Sequence, residues 1–349
     1  MADRATSASG LDHRLGGAWA AGLLAALVAL PVVAQALGGE FYIGLASRIL
    51  IFALAATSLN LVLGFGGMVS FGHAAFVGIG AYTVAILAQS GLDSVLLAWP
   101  AAMAVAGAAA FAVGAVSLRT QGVYFIMITL AFAQMLYFLM VSLKSLGGDD
   151  GLNLAGRSRL PGIDLADDTR FFYVVLVACT LGFLAVWRLL NSPFGHALQA
   201  VRENPVRMAA LGFGVRRIQA IAFTVAGALA GLAGALLANQ GSFVSPSMMQ
   251  WHQSGVLMVM VILGGVGHLW GGVLGAVAFL LLEEILGHYT IHWQFILGAM
   301  LLAVVLVAPN GLASLPARWT SLGWGRRARP ARETAQASAA SVASVEERP

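Results

Sequence analysis

Residues 191–217 read NSPFGHALQAVRENPVRMAALGFGVRR, with a long apolar run on each side. The stretch carries Arg202, Arg207, Arg216 and Arg217 against one acid, Glu203. Ser192-Pro193 and the Gly212/Gly214 pair bracket a run of helix formers. Such an insert is predicted to be a short helix between two membrane spans, on the side where basic residues collect. A helix shown to the cytoplasm in this way is expected to meet a partner.

Composition supports the membrane reading. The chain has 349 residues, is 59% hydrophobic and 10% charged, and has a mean hydropathy of +0.86. Soluble domains carry about 25% charged residues. The apolar runs are long enough to cross a hydrocarbon core of about 30 Å as helix, whereas a barrel would show short alternating segments. The expected fold class is an all-α polytopic membrane protein. A net charge of +4 reflects basic loops and does not point to nucleic acid. Cys179 is the only cysteine, so no disulfide forms within the chain.

Working outward from the central loop gives about ten transmembrane segments: 18–37, 43–63, 74–89, 94–118, 123–143, 171–190, 218–239, 253–269, 271–287 and 291–308. The pair meeting near Gly271 could form one re-entrant unit, which lowers the number to eight or nine. The first run has a charged head and Ala34-Gln35-Ala36, as a signal peptide does. It exceeds the usual apolar core of about 7–15 residues and reads as an uncleaved span. With ten segments both termini are cytoplasmic. Only Arg48, Lys144, Arg157, Arg159 and Arg170 of the nineteen basic residues then fall outside. The domain reading is a cytoplasmic tail over 1–17, a membrane domain over 18–317 and a disordered cytoplasmic tail over 318–349. The central loop 191–217 lies inside and the loop 144–170 outside.

Gly64 to His73 reads GFGGMVSFGH. Gly64, Gly66, Gly67 and Gly72 are predicted to break a regular helix. Non-helical backbone at membrane depth survives only against protein or a water-filled cavity. With the polar side chains of Asn60, Ser70 and His73, this segment is the candidate translocation path. The plainer reading is that its glycines let spans pack closely. Other small residues recur every four positions: Ala102, Ala106, Ala110 and Gly114; Gly227 and Gly231; Ala230 and Gly234; Gly267, Gly271 and Gly275. Each series is predicted to be a face for close helix contact.

The only lysine, Lys144, follows no glycine-rich loop, so no Walker A site is present and any ATPase must be another polypeptide. Glu284, His288 and His292 are spaced at four, but Gly287 interrupts that helix and no metal is expected. Glu283 and Glu284 open a different class, an ion-coupled secondary transporter, unless they only reach the headgroups. Ser70 and His73 could form a nucleophile–base pair in an intramembrane enzyme, yet no GxSxG or HExxH accompanies them.

Several stretches together resemble the LivM-type permease subunits of bacterial branched-chain amino acid ABC transporters. They are LNLVLGFGGMVSFGHAAFVGIGAYTVAIL (59–87), LRTQGVYFIMITLAF (118–132), SPFGHALQAVRENPVRMAALGFGVRRIQAIAFTVAGALAGLAGALLA (192–238), GSFVSP (241–246) and MVMVILGGVGHLWGGVLGA (258–276). The LivH-type sibling is similar but fits less well. The resemblance implies an inner-membrane complex of this chain with a LivH-like second permease, two cytoplasmic ATPases that bind the ATP, and a periplasmic binding protein. It implies no cofactor in this chain. It makes 191–217 the helix that docks on an ATPase, with Phe194, Gly195, Ala197, Arg202, Glu203, Asn204, Arg207, Ala210 and Gly212 as coupling residues. Pro205 departs from the family's commoner RENE, which moves the start of the docking helix towards Pro205 and puts the reach of Glu203 in doubt. The implied cargo is a branched-chain or related amino acid; urea, short amides or aromatic acids are the alternatives on the same scaffold.

Overall fold

The computed structural model describes residues 17–36, 39–162, 164–289, 292–307 and 311–314. The expected tail over 318–349, and all but Gly17 of that over 1–17, lie outside the described residues. One compact unit runs to Ala313. It is built from α1 (Gly17–Ala36), α2 (Glu40–Asn60), α3 (His73–Gln89), α4 (Val95–Ser117), α5 (Val123–Ser142), α6 (Asp168–Leu190), α7 (Pro193–Glu203), α8 (Pro205–Ala210), α9 (Val215–Gly241), α10 (Trp251–Gly264), α11 (Gly271–Tyr289) and α12 (Trp293–Val307). Two short strands, β1 (Leu152–Asn153) and β2 (Phe243–Val244), pair antiparallel.

Among the described residues, six helices are long and apolar enough to cross a membrane: Phe41–Phe65, Val95–Ser117, Val123–Ser142, Asp168–Leu190, Val215–Gly241 and Gly271–Tyr289. Gly22–Val32, His73–Gln89 and Trp251–Gly264 are apolar but shorter. The class is all-α and polytopic. Length and composition alone support six crossings, fewer than the ten read from the apolar runs.

Two boundaries differ from the sequence reading. The run 253–269 was expected to be one helix, but α10 stops at Gly264 because Gly265 and Gly267 take φ of 120° and 77°. Side chains avoid that backbone region and glycine does not. The break expected from Gly64 begins later. The chain leaves α2 through a π-helical turn, Leu61–Phe65, and turns away at Gly66 and Gly67. A π-turn widens the helix by one residue and loosens its carbonyls from regular pairing.

The centre of the bundle is α9, packed against α2, α3 and α4. Its contacts are close enough to exclude side chains. A Cβ on Gly227 would lie 2.2 Å from Ala110 Cβ, and one on Gly231 2.4 Å from Ala106 Cβ. On the α3 side, a Cβ on Gly234 would lie 1.8 Å from the Val77 carbonyl oxygen. The small-residue series of α4 and α9 thus face each other and let the backbones meet. Lipid tails are as apolar as a helix surface, so helices in a bilayer associate through such close packing. Phe223 of α9 extends the contact, edge-on to Phe76 of α3 and Phe125 of α5.

Gly271 and Gly275 take the same role at the α10–α11 crossing, but their partner is Gly264, which the spacing did not single out. A Cβ on Gly264 would lie 1.7 Å from the Gly271 carbonyl oxygen, and one on Gly275 1.7 Å from that of Met260. Gly267, expected on the same packing face, sits in the turn between the two helices.

At the end of the bundle away from α7 and α8, the 144–170 loop is tied down. Asn239 Oδ1 accepts from Ser158 N at 2.6 Å. Arg157 pairs with Asp168, donates to the Leu165 carbonyl at 2.9 Å and lies 4.4 Å from the centre of the Phe171 ring.

Candidate coupling and translocation site

The central loop folds into two helices, where one was expected. Ser192 caps α7, its Oγ accepting from Gly195 N at 3.4 Å, and Pro193 occupies the first helical position, where a missing N–H costs nothing. Asn204 ends α7 in extended backbone and caps α8, its Oδ1 accepting from Arg207 N at 2.9 Å. Pro205 then opens α8. The RENP sequence is therefore a hinge between two helices, with Glu203 on the last residue of the first.

The coupling candidates divide by exposure. Gly195 is buried, and a Cβ there would lie 2.3 Å from the Leu190 carbonyl oxygen, so it lets α7 fold back on α6. Phe194 and Ala197 are half-buried. Glu203, Asn204, Arg207, Ala210 and Gly212 are exposed. Beside them stand two apolar side chains that the charge pattern did not flag, Val206 at 77% exposure and Leu211 at 67%.

Arg202 turns back into the bundle. Its Nη1 donates to the Gly64 carbonyl, inside the π-turn. The side chain lies over two glycines: a Cβ on Gly67 would be 2.9 Å from Arg202 Cγ, and one on Gly267 3.0 Å from Nη1. One guanidinium thus ties α7 to the end of α2 and to the α10–α11 turn.

Asn60 closes the same junction from within. It is buried; its Nδ2 donates to the His268 carbonyl at 2.8 Å and its Oδ1 accepts from Gly267 N at 3.0 Å. Both ends of the amide are used by backbone, so Asn60 is a clamp and not a group facing a solute. Asn60→Leu leaves two backbone groups without partners. It is expected to cost about 2–4 kcal/mol, read as a lower apparent Tm of the purified complex. An unchanged Tm would mean that the turn is held by other contacts.

The other path candidates are packed in the same way. Gly64, Gly66, Ser70, Gly72 and His73 are buried, and Gly67 is exposed beneath Arg202. A Cβ on Gly72 would lie 2.8 Å from the Thr129 carbonyl oxygen of α5. Ser70 and His73 do not form a pair. Ser70 Oγ accepts from Gly72 N at 3.2 Å, whereas His73 Nε2 meets Ser58 Oγ at 2.8 Å. Ser58 in turn donates to the Ala55 carbonyl at 2.7 Å. This arrangement corrects the nucleophile–base expectation: the histidine bridges α3 to α2.

Open space lies elsewhere. A cavity of about 580 Å³ separates α2, α3, α9 and α10, with Ala55, Ala74 and Leu257 among its walls. None of the seven path candidates lines it. Glu283 pairs with Arg48 across α11 and α2 at 3.3 Å, so this acid has a fixed cationic partner. Glu284 and His288 lie on α11, which ends at Tyr289, before His292. Among the described residues, no three His, Cys, Asp or Glu side chains come close enough to hold a metal ion.

Comparison with known proteins gives a consistent picture. The family model described as branched-chain amino acid transport system / permease component matches residues 41–305. The chain is 28% identical over 313 residues to the high-affinity branched-chain amino acid transport system permease protein LivM of Escherichia coli, covering 83% of this chain and 74% of that one. It is 25% identical over 291 residues to BraD of Pseudomonas aeruginosa, a permease protein of the same kind of system, covering 76% and 92%. It is 26% identical over 287 residues to LivH of Escherichia coli, again covering 76% and 92%. No solved structure matches significantly. With most of its length, residues 41–305, in one family model, the chain belongs to the permease components of branched-chain amino acid transport systems.

Proposed function

We propose that this chain is a membrane-spanning permease subunit of an ATP-driven importer, moving branched-chain or related amino acids across the bacterial inner membrane. The observation that carries the reading is the Arg202 bridge. A helix on the basic face reaches, through one side chain, the π-turn of α2 and the α10–α11 turn. Movement imposed on α7 and α8 therefore has a physical route into the bundle, the contiguous contact that coupling between distant sites needs.

On this reading ten segments, α1–α6 and α9–α12, cross or enter the bilayer, and both termini are cytoplasmic. The ATPase meets the exposed row of Glu203, Arg207 and Ala210, with Val206 and Leu211 as apolar anchors. ATP is bound by two partner ATPases, a LivH-like permease stands beside this chain, and a periplasmic binding protein delivers the solute. The ion-coupled alternative loses one of its two acids, because Glu283 is held by Arg48.

Uptake of radiolabelled leucine into vesicles holding the complete complex tests the reading. Uptake is expected to stop when the partner ATPase is inactivated and to continue with a protonophore. The reverse pattern would overturn it. ATP-driven movement of urea without leucine would leave the architecture standing and remove the amino acid.

A further inference from the structure

We propose that the cavity between α2, α3, α9 and α10 is a solute site within this subunit, built for a zwitterionic amino acid with an aliphatic side chain. The inference rests on the transport function proposed above. It concerns residues outside the glycine-broken segment.

Gln240, Gly241, Phe243 and Ser247, at and just past the end of α9 opposite α7 and α8, line the cavity. At about 580 Å³ it falls in the usual size range of small-molecule sites, about 300–1,000 Å³. Arg48 lines it from α2, eight residues into that helix, in a run that is otherwise apolar. An ionisable side chain inside a membrane helix marks a solute or ion path unless it is fully satisfied. Arg48 is not. A guanidinium carries five N–H donors. Among the described residues the contacts of Arg48 are one carboxylate oxygen of Glu283 at 3.3 Å and the Phe52 ring at 5.7 Å, and its side chain is 41% exposed. A second carboxylate can take the remaining fork, the geometry in which arginine binds carboxylates most strongly.

Gln240 supplies the complementary group. Its Nε2 donates to the Gly44 carbonyl at 2.8 Å, which fixes the orientation of the amide. Its Oε1 is buried with no hydrogen-bond partner among the described residues. A buried acceptor without a donor is unfavourable until one arrives. Gly44 and Arg48 stand one helical turn apart on α2, and Gln240 and Arg48 line the same cavity. A solute carrying a carboxylate and an ammonium on one carbon satisfies both. The wall below them is apolar, with Ile51, Val77, Leu237 and Leu257. That surface suits an aliphatic side chain and gives nothing to a small amide such as urea.

The test is uptake of radiolabelled L-leucine by vesicles containing the whole complex, the binding protein and ATP, with ATP hydrolysis measured in parallel. Arg48→Gln and Gln240→Leu are each expected to lower uptake about tenfold or more, the loss of one hydrogen bond to a charged group, while binding-protein-stimulated hydrolysis persists. Glu283→Gln is expected to keep most of the uptake. If Glu283→Gln loses as much as Arg48→Gln, the arginine serves only the ion pair and the proposal falls. If the Arg48→Gln complex does not assemble, the neutral change Gln240→Leu decides: uptake at the parent rate overturns the site. A parent complex that moves no leucine contradicts the proposed function and this site together. A parent that moves leucine while both variants keep pace contradicts the site alone.

Discussion

Gly231→Leu is expected to prevent this chain from accumulating in a folded form, and Gly234→Leu to do the same. A Cβ on Gly231 meets both Ala106 Cβ at 2.4 Å and the Ala102 carbonyl oxygen at 2.7 Å. A Cβ on Gly234 meets the Val77 carbonyl oxygen at 1.8 Å. These obstacles are backbone or the first atom of a side chain, so no rotamer change relieves them. Either α3 or α4 must move away from α9, and the contacts along the whole crossing go with it. Overpacking a well-filled core typically costs about 1–3 kcal/mol when side chains can adjust. Here they cannot, and the loss exceeds that range. The check is recovery of the complex as a single species in size-exclusion chromatography. Recovery equal to the parent would mean that the α3–α4–α9 packing described here is wrong.

Arg202→Ala is expected to leave assembly intact and to separate ATP hydrolysis from transport. The residue is exposed, so its loss opens no hole in the core. What it removes is the hydrogen bond to Gly64 and the covering of Gly67 and Gly267. Without it α7 still rests on α6 through Gly195 and keeps its Ser192 cap. The exposed residues of α8, the proposed ATPase contact, are untouched. Leucine uptake is expected to fall about tenfold or more, as for a lost charge-assisted hydrogen bond at a site that transmits movement. Uptake near the parent level would make the bridge an incidental contact.

The helices were largely legible in the sequence because apolar length dictates them. The run expected over 123–143 is α5, Val123–Ser142, and that expected over 271–287 is α11, Gly271–Tyr289. Where the reading slipped, backbone conformation outweighed apolarity. Leu269 and Trp270 prolong the apolar run, yet the positive φ of Gly265 and Gly267 had already ended the helix. The repeating small residues of α4 and α9 could each be seen, but their pairing depends on topology. The site was less legible. Arg202 reads as a charge for a cytoplasmic partner, and its bond to Gly64, 138 positions away, exists because two glycines leave a slot for it. Ser70 and His73 looked paired through their spacing. The turn at Phe71-Gly72 takes Ser70 for its own backbone, Gly72 N donating to Ser70 Oγ, and His73 finds Ser58 instead. Arg48 did carry a signal, a lone cation in an apolar run.

The most direct test of the central claim is the number of leucine molecules accumulated per ATP hydrolysed, measured in the same vesicles for the parent complex and for Arg202→Ala. The ratio is expected to collapse in the variant while binding-protein-stimulated hydrolysis continues, because on the proposed reading the partner ATPase still turns over without moving the π-turn of α2. An unchanged ratio in an intact complex would show that movement reaches the bundle by another route and would contradict the assignment of 191–217 as the coupling element.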